Sequence, residues 1–224
     1  VIYANKAMEY GGGLYIERSS TEQTVNVTGC KIVGNYAVED GGGAYIYDLM
    51  MVNMSNCIVE ENIAGDEGGG ICLSDWTGSD LTIGGKMIVR NNSVSVSGGS
   101  IKSNIYLEGD DDLIVGAVSL GSEMWLRTEI PAKNYNGISK TLLATQTSTS
   151  HLFFFADEEG YCVKYQEDPA RKNYRHLYLA AETRTEDDIK VLTDYATKQQ
   201  ENPYTVENGE YKKETFPLYK GYFE

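Results

Sequence analysis

Few residues in this chain of 224 are spaced as chemistry would require. The best candidates are Asp48 and Asp75, each seven residues after the first glycine of a Gly-Gly-Gly triplet, with Arg18 at the same place after an earlier triplet. Carboxylates and an arginine brought side by side could do acid–base work on a sugar or hold a calcium ion. Tyr15 and Tyr45 stand four residues after the same glycines. Two outward tyrosines in a stack could form a platform for a sugar face. The plainer readings are a solvated column of charge, and aromatic residues that simply form strands and stack well. His151 and His176 have no cysteine or second histidine nearby in sequence, so neither a metal centre nor a nucleophilic triad is expected. Calcium on the aspartate column is the only cofactor the residues suggest.

What must position these residues is a repeat. Asn35-Tyr36-Ala37-Val38-Glu39-Asp40-Gly41-Gly42-Gly43-Ala44-Tyr45-Ile46 has one counterpart starting at Asn5, another at Asn62, and a worn one between Asn92 and Ile101. In each the asparagine precedes the first glycine by six residues, and successive asparagines lie 30, 27 and 30 residues apart. Three short apolar runs fill one period: Ala44-Tyr45-Ile46, Met51 to Met54, and Cys57-Ile58-Val59. Three strands and three turns in about 22–30 residues suit one coil of a parallel β-helix, whereas a propeller blade needs four strands and about 40–50 residues.

In such a coil like residues stack on like, about 4.8 Å apart. Asn5, Asn35, Asn62 and Asn92 should form a ladder at one turn, where asparagine tolerates left-handed backbone and its amide bonds the next. The triplets Gly41-Gly42-Gly43 and Gly68-Gly69-Gly70, with Gly11 to Gly13 before them, should supply positive φ and close backbone approach at a corner. A phosphate-cradling loop is excluded, because no P-loop Lys-Ser/Thr follows. Alternation after each triplet points Leu14, Ile16, Ala44, Ile46, Ile71 and Leu73 inward and Tyr15, Tyr45 and Cys72 outward. In the coil leading to Asn92, the strand around Leu81 to Ile83 is shifted by one residue against Val25 to Val27, which predicts a bulge or a shorter turn.

Composition narrows the partners. A net charge of −14 disfavours nucleic acid and anionic membranes. The sequence has no apolar run long enough to span a bilayer, and no signal-peptide pattern at Val1. The chain enters in mid-repeat, with Ile2 in the place of Ile32 and Val59, so it is expected to be part of a longer parent chain. Of the four cysteines, Cys30 and Cys57 both stand five residues before a ladder asparagine, with Met87 next in line. They read as interior filler, although a disulfide between stacked Cys30 and Cys57 is sterically conceivable.

Beyond Asn104 the coil motif fades into Asn104-Ile105-Tyr106-Leu107, then Leu120-Gly121-Ser122 through Leu126-Arg127-Thr128-Glu129, then Phe154-Phe155-Ala156-Asp157-Glu158-Glu159-Gly160-Tyr161-Cys162-Val163. With the glycine-triplet coils, this succession resembles the right-handed parallel β-helix repeat region of large cell-surface proteins from gut Firmicutes and related bacteria. The triplet coils alone also resemble adhesin-like outer-membrane proteins and the pectate-lyase superfamily. The resemblance implies an extracellular, adhesin-like fold whose 154–163 stretch closes a run of coils.

The expected fold is therefore all-β: a right-handed parallel β-helix over 1–126, a β-rich closing segment over 127–181, and a short helix plus aromatic tail over 182–224. Leu152 to Phe155 and Tyr161 to Tyr165 should pair like a hairpin across Glu159-Gly160. The capping box at Thr185 to Asp188 predicts a helix from Glu186 to about Lys198. Asn208-Gly209 predicts a hairpin in the tail. Two functions fit. One is a non-catalytic surface segment that binds a glycan or a host or bacterial surface protein, or serves as a stiff display spacer. The alternative is a polysaccharide lyase or glycoside hydrolase, which is disfavoured because the cations of the repeats (Lys6, Arg18, Lys31, Lys86, Arg90, Lys102) are scattered.

Overall fold

The structure, a computed structural model, describes residues 1–17, 24–47, 51–74, 80–107, 112–118, 121–128, 142–145, 153–167, 174–180, 204–207 and 210–213. Its elements are strands. The first coil holds β1 (Ile2–Tyr3), β2 (Lys6–Ala7), β3 (Leu14–Glu17) and β4 (Thr24–Thr28). The second repeats them as β5 (Lys31–Val33), β6 (Tyr36–Ala37), β7 (Ala44–Tyr47) and β8 (Met51–Ser55). The third has β9 (Ile58–Glu60), β10 (Ile63–Ala64), β11 (Ile71–Ser74) and β12 (Asp80–Gly85). Then follow β13 (Ile88–Arg90), β14 (Ser93–Val96), β15 (Gly99–Lys102), β16 (Ile105–Leu107) and β17 (Asp112–Val118). After these come β18 (Glu123–Thr128), β19 (Leu142–Thr145), β20 (Phe154–Ala156), β21 (Cys162–Glu167) and β22 (Tyr174–Ala180).

From β1 to β13 every strand of one coil pairs in parallel with its counterpart in the next, so these stacked coils form a parallel β-solenoid. Its interior takes one inward residue in every two. Ile32, Val59 and Val89 fill one wall, Ala44, Ile46, Ile71, Leu73, Ile105 and Leu107 another, and Val52, Leu81 and Ile83 the third, all fully buried.

Each coil turns at corners set by left-handed residues. The residue before each ladder asparagine has positive φ: Ala4 (54°), Gly34 (62°), Glu61 (57°) and Asn91 (56°). The left-handed backbone expected of the ladder asparagines themselves thus falls one residue earlier. The asparagine instead sits one residue later, where its amide is free to point along the stack.

That amide makes a directed ladder. The backbone N and Nδ2 of Asn5 both donate to Asn35 Oδ1, those of Asn35 to Asn62 Oδ1, and those of Asn62 to Asn92 Oδ1, at 2.9–3.0 Å. Asn62 Nδ2 also donates to the carbonyls of Ile32 and Glu60. Asn35, Asn62 and Asn92 are at most 1% exposed, so these bonds satisfy groups that water cannot reach. The ladder outlasts the repeat: Asn92 donates to Asn104 Oδ1, and the backbone N of Asn104 donates to Asp157 Oδ2 at 2.7 Å.

The three glycines of a triplet are needed for different reasons. Gly41 has φ +67°, a Cβ on Gly42 would run into the carbonyl oxygens of Ile63 and Gly69, and one on Gly43 into Gly70 O and the amide of Asn62. The triplet therefore lies against the ladder.

A second ladder runs along the corner that opens with Gly29 (φ 64°), Asn56 (54°) and Gly85 (62°). Cys30 N donates to Cys57 Sγ at 3.4 Å, Cys57 N to Met87 Sδ at 3.4 Å, and Met87 N to Ser122 Oγ at 3.0 Å. The sulfurs fill the interior, as expected, and also accept an N–H that no carbonyl faces. None of the four cysteines is joined in a disulfide. The expected shift between β4 and β12 does not occur within the strands, which pair residue for residue through β8. The following turn is longer rather than shorter, with Lys86 as its extra residue, and the register slips only one coil later, between Ile83 and Gly85 against β17.

The repeat changes form after β13. Gly98-Gly99 is not a coil corner: Ser97-Gly98 is the turn of an antiparallel hairpin, β14 with β15, and Gly99 already pairs with Val96. In the next coil the excursion through asparagine and glycines is absent. β18 runs straight across, pairing with β13 at Glu123 and Met124 and with β16 from Leu126 to Thr128. β20 pairs in parallel with β18, whereas β21 pairs antiparallel with β22. Phe154–Ala156 and Cys162–Glu167 thus lie in different sheets and form no hairpin, because the turn at Gly160 (φ 83°) is one more corner. β19 pairs in parallel with β17 but antiparallel with β22, which ends the parallel order on that wall.

Residues 183–224 form a separate unit from 1–182. Within it β23 (Tyr204–Glu207) and β24 (Glu210–Lys213) pair as an antiparallel hairpin around Asn208-Gly209. The helix expected at 186–198 lies outside the described residues, and among those described there is no α-helix.

Candidate functional site

Along the outer face of β3, β7, β11 and β16, parallel register stacks Tyr15, Tyr45, Cys72 and Tyr106 in one row. The row is outward, as alternation requires, but only its first member is open to solvent. Tyr15 is 48% exposed, while Tyr45, Cys72 and Tyr106 are 6%, 1% and 7% exposed and form a small apolar cluster outside the coil wall.

Tyr45 is covered by Tyr10, which reaches over from the glycine corner and stacks on it with ring centroids 4.6 Å apart. Tyr15 and Tyr47 stack on the same ring at 5.7 and 6.1 Å, with interplanar angles of 12° and 16°. Tyr45 is therefore not the exposed platform the sequence suggested but its buried backing. Stacked rings hold one another at fixed orientation, worth about 0.5–1.5 kcal/mol per pair beyond burial.

Electrostatics follow the packing. A hydrogen bond to Glu39, then burial, push the Tyr10 phenol up to about 12, so its hydroxyl is a firm donor to that carboxylate. Burial raises Tyr45 further, against the opposing hydrogen bond from Ser74. Burial and neighbouring Glu17 raise Tyr15 as well. Tyr10 and Tyr15, with Ala7, Met8 and Glu9, line an open cleft of about 360 Å³. It offers ring faces, a thioether and one carboxylate. Arg18, Asp48 and Asp75 lie outside the described residues, and among those described no three His, Cys, Asp or Glu side chains gather as a metal site would need.

A second constellation was not read from the sequence. Arg90 Nε donates to Glu60 Oε1 and its Nη1 to Glu123 Oε2, both at 2.7 Å. Glu123 Oε1 accepts from Trp125 Nε1 at 2.8 Å, Lys102 Nζ lies 4.9 Å over the indole, and Phe155 tilts against it at 5.3 Å. Burial works against the Arg90 charge, but the two carboxylates outweigh it and the guanidinium stays protonated. Both acids are spent on one arginine, so the group acts as a clamp joining β9, β13 and β18 rather than as an acid–base pair. A signal did exist: Glu60 and Arg90 each stand two residues before a ladder asparagine, which puts opposite charges at one coil position.

Compared with models of protein families, with curated proteins and with solved structures, the chain matches none.

Proposed function

We propose that this chain is a non-catalytic segment of a bacterial cell-surface protein, a stiff adhesin-like solenoid whose cleft at Tyr15 takes a neutral sugar. The observation that carries this is the cleft itself: a half-exposed ring backed by Tyr45, beside a second ring and a single carboxylate. A sugar's apolar face stacks on such a ring while its hydroxyls donate to Glu9. The carboxylate and the net charge of −14 favour neutral over uronate sugars. The surface location and adhesive role rest on the resemblance of the coils and of the Phe154 to Val163 stretch, and the ladders support stiffness.

Titration of the full chain with neutral and uronate oligosaccharides, read by calorimetry and by product analysis, tests it. The expected outcome is a Kd around the millimolar range for neutral sugars, about 4 kcal/mol of binding, lost in Tyr15→Ala. New reducing ends or unsaturated products, or binding indifferent to Tyr15→Ala, would overturn it.

A further inference from the structure

Cys30 and Cys57 occupy the same corner of consecutive coils, one residue before the registered pair Lys31 and Ile58. In-register backbones of adjacent coils lie about 4.8 Å apart with parallel Cβ directions, inside the Cα range that a disulfide spans. Cys57 Sγ already reaches across that gap, 3.4 Å from Cys30 N. Access is unequal. Cys30 is half-buried and reachable from solvent, whereas Cys57 is fully buried. The next side chain in the ladder is the thioether of Met87, which cannot enter a disulfide.

We propose that Cys30 and Cys57 form a redox-closed staple between consecutive coils, with a small-molecule disulfide as the oxidant. The Cys30 thiolate attacks one sulfur of RSSR, whose S–S bond breaks to release RS⁻ and leave a mixed disulfide on Cys30. Cys57 then gives its proton to water, and its thiolate attacks the Cys30 sulfur and expels the second RS⁻. Two electrons pass to the oxidant, two protein thiols become one cystine, and RSSR becomes two RSH. Burial pushes the Cys57 thiol up, so the second step is the slow one and quickens with rising pH. Cys72 and Cys162 are buried away from this corner and take no part.

The test uses the folded full chain, incubated with oxidised glutathione at graded ratios to reduced, quenched by alkylation and mapped by mass without reduction. The expected product is lighter by two hydrogens and yields a linked Cys30–Cys57 peptide. Closing this 27-residue separation should raise the thermal midpoint by roughly 5–10 °C, reversibly on reduction. In Cys57→Ser the reaction should stop at a stable glutathione adduct on Cys30. The proposal is overturned if the wild type accumulates that same adduct without closing, if Cys72 or Cys162 appears in the link, or if Cys30 does not react at all.

Discussion

Two corners of the coil have the same problem and solve it differently. At both, the turn opened by a left-handed residue leaves an N–H directed along the stack that bonds a side chain of the next coil rather than a carbonyl. The corner at Asn35, Asn62 and Asn92 answers with one side chain in every coil, while the other answers the N–H groups of Cys30, Cys57 and Met87 with the thiol of Cys57, the thioether of Met87 and the hydroxyl of Ser122. The amide corner must accept two donors and also give protons to Ile32 O and Glu60 O, and no other side chain of that size does both. The sulfur corner needs one weak acceptor and some volume, which several residues supply.

The largest effect should come from the middle of the amide ladder. Asn62→Leu strands two donors on Asn35 and the carbonyl of Ile32, all buried, and should cost roughly 3–5 kcal/mol in urea unfolding. Asn5→Leu, at an exposed rung, should cost under about 1 kcal/mol. Equal losses would show that the ladder does not act as a connected unit. On the sulfur corner, Met87→Leu keeps the volume and removes only the acceptor for Cys57 N, so a loss of about 1 kcal/mol is expected. A loss as large as that at Asn62 would erase the distinction between the corners.

The smallest effect depends on pH. Burial raises Asp157 above the ordinary aspartate value, against the pull of Asn104, Lys102 and Arg127. Stability from its protonated form is fully present below the unfolded aspartate pKa and is lost as pH rises through the raised folded value. Asp157→Asn keeps an acceptor for Asn104 and does not titrate. It should therefore gain a few tenths of a kcal/mol on the wild type between about pH 3 and 7. A variant that instead loses ground as pH rises would mean that the carboxylate charge itself holds the ladder's end.

The spacing of asparagines and glycines was enough to derive the coils, their interior and the amide ladder, since each follows from a period and an alternation. Asn104 was missed because it follows Asn92 by only 12 residues, across the β14–β15 hairpin, and so stands outside the period. The burial of Tyr45 was missed because its cover, Tyr10, comes from a corner, and alternation along a strand says nothing about what a corner lays over it. The Arg90 clamp needed the periods combined with charge, and Glu123 enters it only because β18 omits the excursion.

The one-way order of the amide bonds has an electrical consequence. Every rung points its N–H groups toward Asp157 and its oxygen toward Asn5, so the amide dipoles add, as peptide dipoles do along an α-helix. Asp157 then stands to this column as an N-cap acceptor stands to a helix, its carboxyl oxygens at the end where donors converge, while its burial opposes what those donors give its charge. The two ends of the stack are thus chemically opposite poles, one suited to negative charge and the other, at Asn5, to groups that donate.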